Sequence, residues 1–185
     1  MLDHFKKLGF NIVLTTPVSE IPFDLYPFTE HQKKKTLIII GSGGPELWNK
    51  IPDKTIPNFF DAYSLEALKF FSSPEILFPN NALTLPLQKF SRLLNFSHQS
   101  PIGLDINEEF GLWFAFRALA LTEGDHLPID HHTTISPCES CIEKPCLKEK
   151  NLTAARLMCP YKNEEQYSIT QRDYHLKILS GLKTS

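Results

Sequence analysis

Five consecutive residues constrain this chain more than any others. Thr36 to Ile40 reads TLIII, a continuous, largely β-branched apolar run that ends at Gly41. Such a run, stopped by glycines, predicts a buried strand rather than the half-exposed strand that alternation would mark. Gly41-Ser42-Gly43-Gly44 then reads as a turn. Pro45 suits the first position of a helix through Leu47, Trp48 and Ile51, with Ser42 as its cap. A glycine turn between strand and helix is also where backbone N–H groups bind phosphate. GSGGPE lacks the Gly-Lys-Ser/Thr ending of a triphosphate loop and the third glycine of a dinucleotide fingerprint, so a plain tight turn is the stronger reading.

Around this strand the pattern is mixed α and β. Residues 17–31 hold Pro17, Pro22 and Pro27 and predict an irregular, extended entry. In 58–71 Phe59, Tyr63, Ala67 and Phe70 recur at helical steps, and in 85–96 Leu87, Phe90, Leu93 and Leu94 share a side. Segment 108–121, EEFGLWFAFRALAL, is the most apolar stretch and fits either a strand or a helix. Residues 170–182 predict a closing helix.

At 185 residues the chain has room for one proper core. We expect a single domain, with a core over 1–129 and a cysteine-containing extension over 130–185. A net charge of −2 provides no global basic field and argues against nucleic-acid partners. No apolar run reaches the length of a membrane span, and Leu8–Leu14 is too short and interrupted for a secretion signal. Neither Gly-x-Ser-x-Gly nor His-Glu-x-x-His occurs, which disfavours hydrolase and zincin chemistry.

Three features carry chemistry. Arg117 is a lone charge inside WFAFRALAL, where a guanidinium needs either a structural partner (Asp105, Glu108 or Glu109) or an anionic ligand at a pocket wall. His126, His131 and His132 crowd one loop, either as a polar surface or as a nitrogen ligand or proton relay. Four cysteines, all late in the chain, form Cys138-x2-Cys141-x4-Cys146-x12-Cys159-Pro160. Their clustering reads as a zinc or iron–sulfur site in a reducing compartment, hence a cytoplasmic protein, rather than as a disulfide framework.

In its order of motifs, the sequence resembles the cobalamin-processing CblC-type family. FGLWFAFRALAL resembles that family's Phe-Gly-x-Trp-Phe-Ala-x-Arg string through the corrinoid pocket. Leu25-Tyr26-Pro27-Phe28, TLIIIGSGGPELWNKI, Phe78-Pro79-Asn80-Asn81 and the tail Glu165-Gln166-Tyr167-Ser168 with Gln171 and Tyr174 are similar to its other segments. CESCIEKPCL and RLMCPYKNEEQYS resemble a bacterial ferredoxin-like branch, with epoxyqueuosine reductase as a distant cousin. Lys150 stands where that branch has a cysteine. The resemblance implies an α+β, nitroreductase-like fold, an antiparallel sheet flanked by helices. It implies a cobalamin bound against Phe110, Trp113, Phe114 and Phe116, and a catalytic Arg117 that anchors a thiol such as glutathione. It implies oxidoreductase chemistry that removes or transfers the upper cobalt ligand. A cluster or zinc at the cysteines, or an electron-donor protein, would complete it. The alternatives are a non-catalytic zinc or iron–sulfur module and a flavin-dependent reductase on the same fold.

Overall fold

In the computed structural model, residues 1–77, 85–124, 135–161 and 163–179 are described. The elements run α1 (Leu2–Lys7), β1 (Ile12–Pro17), β2 (Thr36–Gly43), α2 (Glu46–Lys50), α3 (Phe59–Leu68), β3 (Glu75–Leu77), α4 (Leu87–Leu93), β4 (His98–Gln99), β5 (Asp105–Ile106), β6 (Phe114–Thr122), α5 (Leu152–Leu157) and α6 (Ile169–Leu179). Four strands form one antiparallel sheet in the order β1-β2-β6-β3, and β4 and β5 pair separately. This is the expected α+β class. TLIII forms the centre of β2, and all eight residues of that strand are buried.

Burial on both faces follows from a layer on each side. Val13, Ile38, Ile40, Ala118 and Ala120 face α1, α2 and α3, packing with Phe5, Leu47, Phe60 and Leu68. Ile12, Leu14, Leu37, Ile39, Leu119 and Leu121 face the other way, against Phe28, Phe90, Phe96 and Phe110. Tyr174 of α6 packs against the first layer, so the C-terminal segment folds back onto the core.

Segment 108–121 resolves into a strand from Phe114 onward, with one irregularity. Ile40 pairs with Ala118 but Gly41 pairs with Phe116, so Arg117 is the extra residue of a β-bulge. The bulge resets the side-chain alternation. Phe114 and Phe116 join the face of Leu119 and Leu121, while Arg117 joins the face of Ala118 and lies over Phe60. Gly41 permits the close approach opposite the bulge, since a Cβ there would meet the Ala115 carbonyl oxygen at 2.8 Å.

The glycine turn is shorter than the sequence pattern predicts. Gly41 to Gly43 belong to β2, and Pro45 caps α2 rather than opening it. Ser42 does not cap α2; its Oγ is buried and has no partner among the described residues. The amides that might hold a phosphate are occupied: Gly43 N–H donates to Asn11 Oδ1 at 2.7 Å, and Gly44 N–H donates to the Trp113 carbonyl at 2.8 Å. The plain turn is therefore correct. The expected helices at 58–71 and 85–96 appear over shorter spans, and the one expected at 170–182 runs from Ile169 to the last described residue, Leu179. The motif Phe78 to Asn81, the histidines at 126, 131 and 132 and the core boundary at 129/130 lie outside the described residues.

Candidate functional site

Two adjoining cavities lie beside the bulged end of β6. The smaller, about 220 Å³, is walled by Phe114, Ala115 and Phe116 of β6, with Leu87, Leu112 and Asp105. The larger, about 410 Å³, is walled by Trp113, Tyr167, His175 and Leu176, with Leu152 and Leu157 of α5. Both share Leu104 and Arg156. Arg156 is held there by its guanidinium stacking 4.3 Å from the Trp113 ring and 4.8 Å from Tyr167, and by an Nη2 donation to the Leu112 carbonyl. It forms a cationic partition between two apolar rooms.

The structure divides the aromatic residues singled out from the sequence. Phe114 and Phe116 are half-buried, in contact with Phe96, and line the smaller cavity. Trp113 is turned the other way and lines the larger one, as strand alternation requires. Phe110 lines neither of these cavities. It is buried against Gly43, where an added Cβ would fall 2.1 Å from its ring, and is a packing residue of the apolar layer.

Arg117 sits behind the larger cavity. Its guanidinium lies 3.7 Å from the centre of the Phe60 ring, which stacks in turn on His175. Of the carboxylates proposed as structural partners, Asp105 is engaged elsewhere, accepting from Arg92 at 3.2 Å and Ser97 at 2.8 Å. Among the described residues, Arg117 Nε and Nη2 have no hydrogen-bond partner. Burial, above all, pulls the guanidinium below its ordinary pKa; Tyr167, Tyr174 and Asp61 oppose this, and Arg156 adds to it.

Near Arg117 lies a group of buried polar atoms without partners among the described residues, of which the sequence named Tyr167 and Gln171 only as motif positions and missed His175. Tyr167, Gln171 and His175 follow one another at four-residue steps and share a face at and just before α6. Among the described residues, the Tyr167 hydroxyl, both amide atoms of Gln171 and His175 Nε2 lack partners, as does Ser42 Oγ, whose place in β2 has the parity of Ile38 and Ile40. Gln171 is fully buried. His175 is held neutral, its pKa lowered to about 3 by burial first and by Arg117 and Arg156 second. Buried polar groups without partners are rare and mark places where water or a ligand belongs. In the smaller cavity Asp105 is the mirror case: burial raises its carboxyl pKa, although Ser97 and Arg92 pull the other way.

The four cysteines lie around one cavity rather than at one point. All are free thiols and all line one cavity of about 300 Å³, separate from the aromatic rooms. Cys146 and Cys159 are buried, and Cys138 and Cys141 are half-exposed. Burial raises the pKa of the Cys138 and Cys159 thiols. The thiols are not drawn into a ligand set: among the described residues no group of three or more His, Cys, Asp or Glu is arranged to hold a metal ion. The described residues thus form no zinc or iron–sulfur ligand set. Among the described residues, no helix is long and apolar enough to cross a membrane.

No protein-family model and no curated protein matches the chain. Its fold is shared with solved structures. The B12-trafficking protein CblC of C. elegans, a homologue of human MMACHC, superposes with a TM-score of 0.58 at 13% identity, over 95% of this chain and 92% of that one. Epoxyqueuosine reductase of Streptococcus thermophilus superposes with a TM-score of 0.50 at 10% identity, over 90% of this chain and 66% of that one. The nitroreductase-like antiparallel sheet flanked by helices, expected from the motif order, is thus the fold of the protein.

Proposed function

We propose that the chain binds a corrinoid across the two adjoining cavities and takes part in removal or transfer of its upper cobalt ligand. The observation that carries this reading is the paired aromatic cleft, split by Arg156, in a fold shared with a B12-trafficking protein. A flat macrocycle needs broad apolar walls with a few polar groups at the rim. Phe114 and Phe116 offer one wall and Trp113 and Tyr167 another. Neither room alone suits a ring of that breadth, so Arg156 has to swing off Trp113 as the ligand enters. Asp105 is an acceptor for the amide arms that a corrin carries. Tyr167 and His175, on the wall of the larger cavity, offer a donor and an acceptor for the polar end of a thiol co-substrate, and the buried Arg117 and Gln171 behind them come into reach as the cavity opens to the ligand. His175, being neutral, presents either an acceptor or a donor at its unpaired Nε2 without adding charge. The corrinoid is cargo, and its cobalt supplies the bond that breaks.

The test is a cobalamin titration followed by visible absorbance, on the wild type and on Phe116→Ala. A red complex that survives gel filtration is expected, with affinity lowered about tenfold by loss of roughly half a buried phenyl ring. A protein that leaves cobalamin unbound, or that is yellow and releases a flavin on denaturation, overturns the reading.

A further inference from the structure

The cysteine cavity is a separate chemical centre, and the corrinoid reading leaves it unused. We propose that it is a thiol–disulfide exchange site, in which Cys141 and Cys138 reduce a small-molecule disulfide. Four free thiols line one cavity, and among the described residues no three of them form a metal-ligand group. Cys-x-x-Cys is the spacing at which two thiols act in turn on one substrate.

The surroundings assign the order. Cys138 packs against the small apolar cluster of Ile106, Leu112 and Cys159. Both thiols are half-exposed, but Cys141 lies outside that cluster, with Lys144 on the same cavity wall three residues on. Cys141 is therefore the sulfur an incoming disulfide meets, and Cys138 the one that resolves. Pro101, Ile106, Pro145 and Pro160 give the cavity an apolar lining that suits a compact organic disulfide.

The Cys141 sulfur attacks one sulfur of R–S–S–R; that S–S bond breaks, one R–S⁻ leaves, and a mixed disulfide forms. The Cys138 sulfur then attacks the Cys141 sulfur, forming the Cys138–Cys141 bond and releasing the second R–S⁻. The protons of the two cysteine thiols end on the two released thiols. The small disulfide gains two electrons and the chain loses two.

The full chain, reduced, desalted and free of corrinoid, is treated with one equivalent of dithiodipyridine. The proposal expects release of two equivalents of pyridinethione, no adduct in the intact mass, and a disulfide that peptide mapping assigns to Cys138 and Cys141. Cys138→Ser is expected to halve the release and to retain a pyridyl adduct on Cys141. Adducts that persist on the wild type, a disulfide mapped to Cys146 and Cys159, or bound zinc or iron that blocks the thiols until chelated would each overturn it. The wild-type mapping decides the matter even if the serine variant fails to fold. Because no corrinoid is present, failure here leaves the corrinoid reading untouched, and the reverse holds too.

Discussion

Acidification should unfold this protein earlier than its carboxylates alone would, through one ring. His175 stacks on Phe60 with centroids 5.8 Å apart and planes within 6°, and lies 5.4 Å from Tyr167. Burial first, and then the Arg117 and Arg156 guanidiniums, lower its pKa to about 3. In the unfolded chain the same ring titrates near ~6.5. Between these values the unfolded state binds the extra proton, so stability rises with pH and is lost as pH falls below about 6.5. At about pH 5 the folded ring is still neutral while the unfolded ring is charged, and the loss is about 2 kcal/mol. For a domain of this size that lowers Tm by about 4–8 °C. His175→Phe keeps the stacked ring and removes the proton site. Melting curves of both proteins between about pH 8 and pH 5 should therefore diverge, the variant losing about 4–8 °C less than the wild type. Parallel losses would show that His175 does not carry the acid sensitivity and would refute the buried, neutral ring.

Other expectations rest on the same interior. Arg117→Leu replaces a buried guanidinium, two of whose nitrogens lack partners, with an apolar side chain; Tm should hold while affinity for a thiol co-substrate such as glutathione falls about ten- to a hundredfold by titration calorimetry. Gln171→Leu removes two buried amide atoms that have no partners and should raise the Tm of the ligand-free protein, worth about 1 kcal/mol by denaturant titration, while weakening ligand binding. Gly43→Ala drives a methyl group into the Phe110 ring and should cost roughly 1–3 kcal/mol in the same titration.

What the sequence disclosed follows the strength of its periodicities. β2 is legible because a β-branched run between glycine and polar residues has few other uses. β6 is ambiguous because Phe, Trp and Leu serve either period, and because the extra residue at Arg117 breaks the two-residue rhythm midway. Arg117 itself stands out as a charge in an apolar stretch. Tyr167, Gln171 and His175 do not, since polar residues at four-residue steps ordinarily mark a solvent-facing stripe. Tertiary packing against the sheet makes them interior. The meeting of the cysteines is partly local, through the close spacing of the first three. Cys159 reaches them because α5 turns the chain back, its end closed by the Cys159 N–H bond to the Arg156 carbonyl.

The bulge has a consequence for how Arg117 can be handled experimentally. In a regular strand, deleting one residue flips every side chain beyond it onto the wrong face. Here the residue across from Gly41 is already Phe116, and the residue across from Ile40 is Ala118. Excising Arg117 joins those two partners directly and leaves both faces in phase: Phe114 and Phe116 on their cavity, Ala118 and Ala120 on the helices. Arg117 is thus a side chain the strand carries as an addition, one that shortening the chain removes without disturbing the sheet's register.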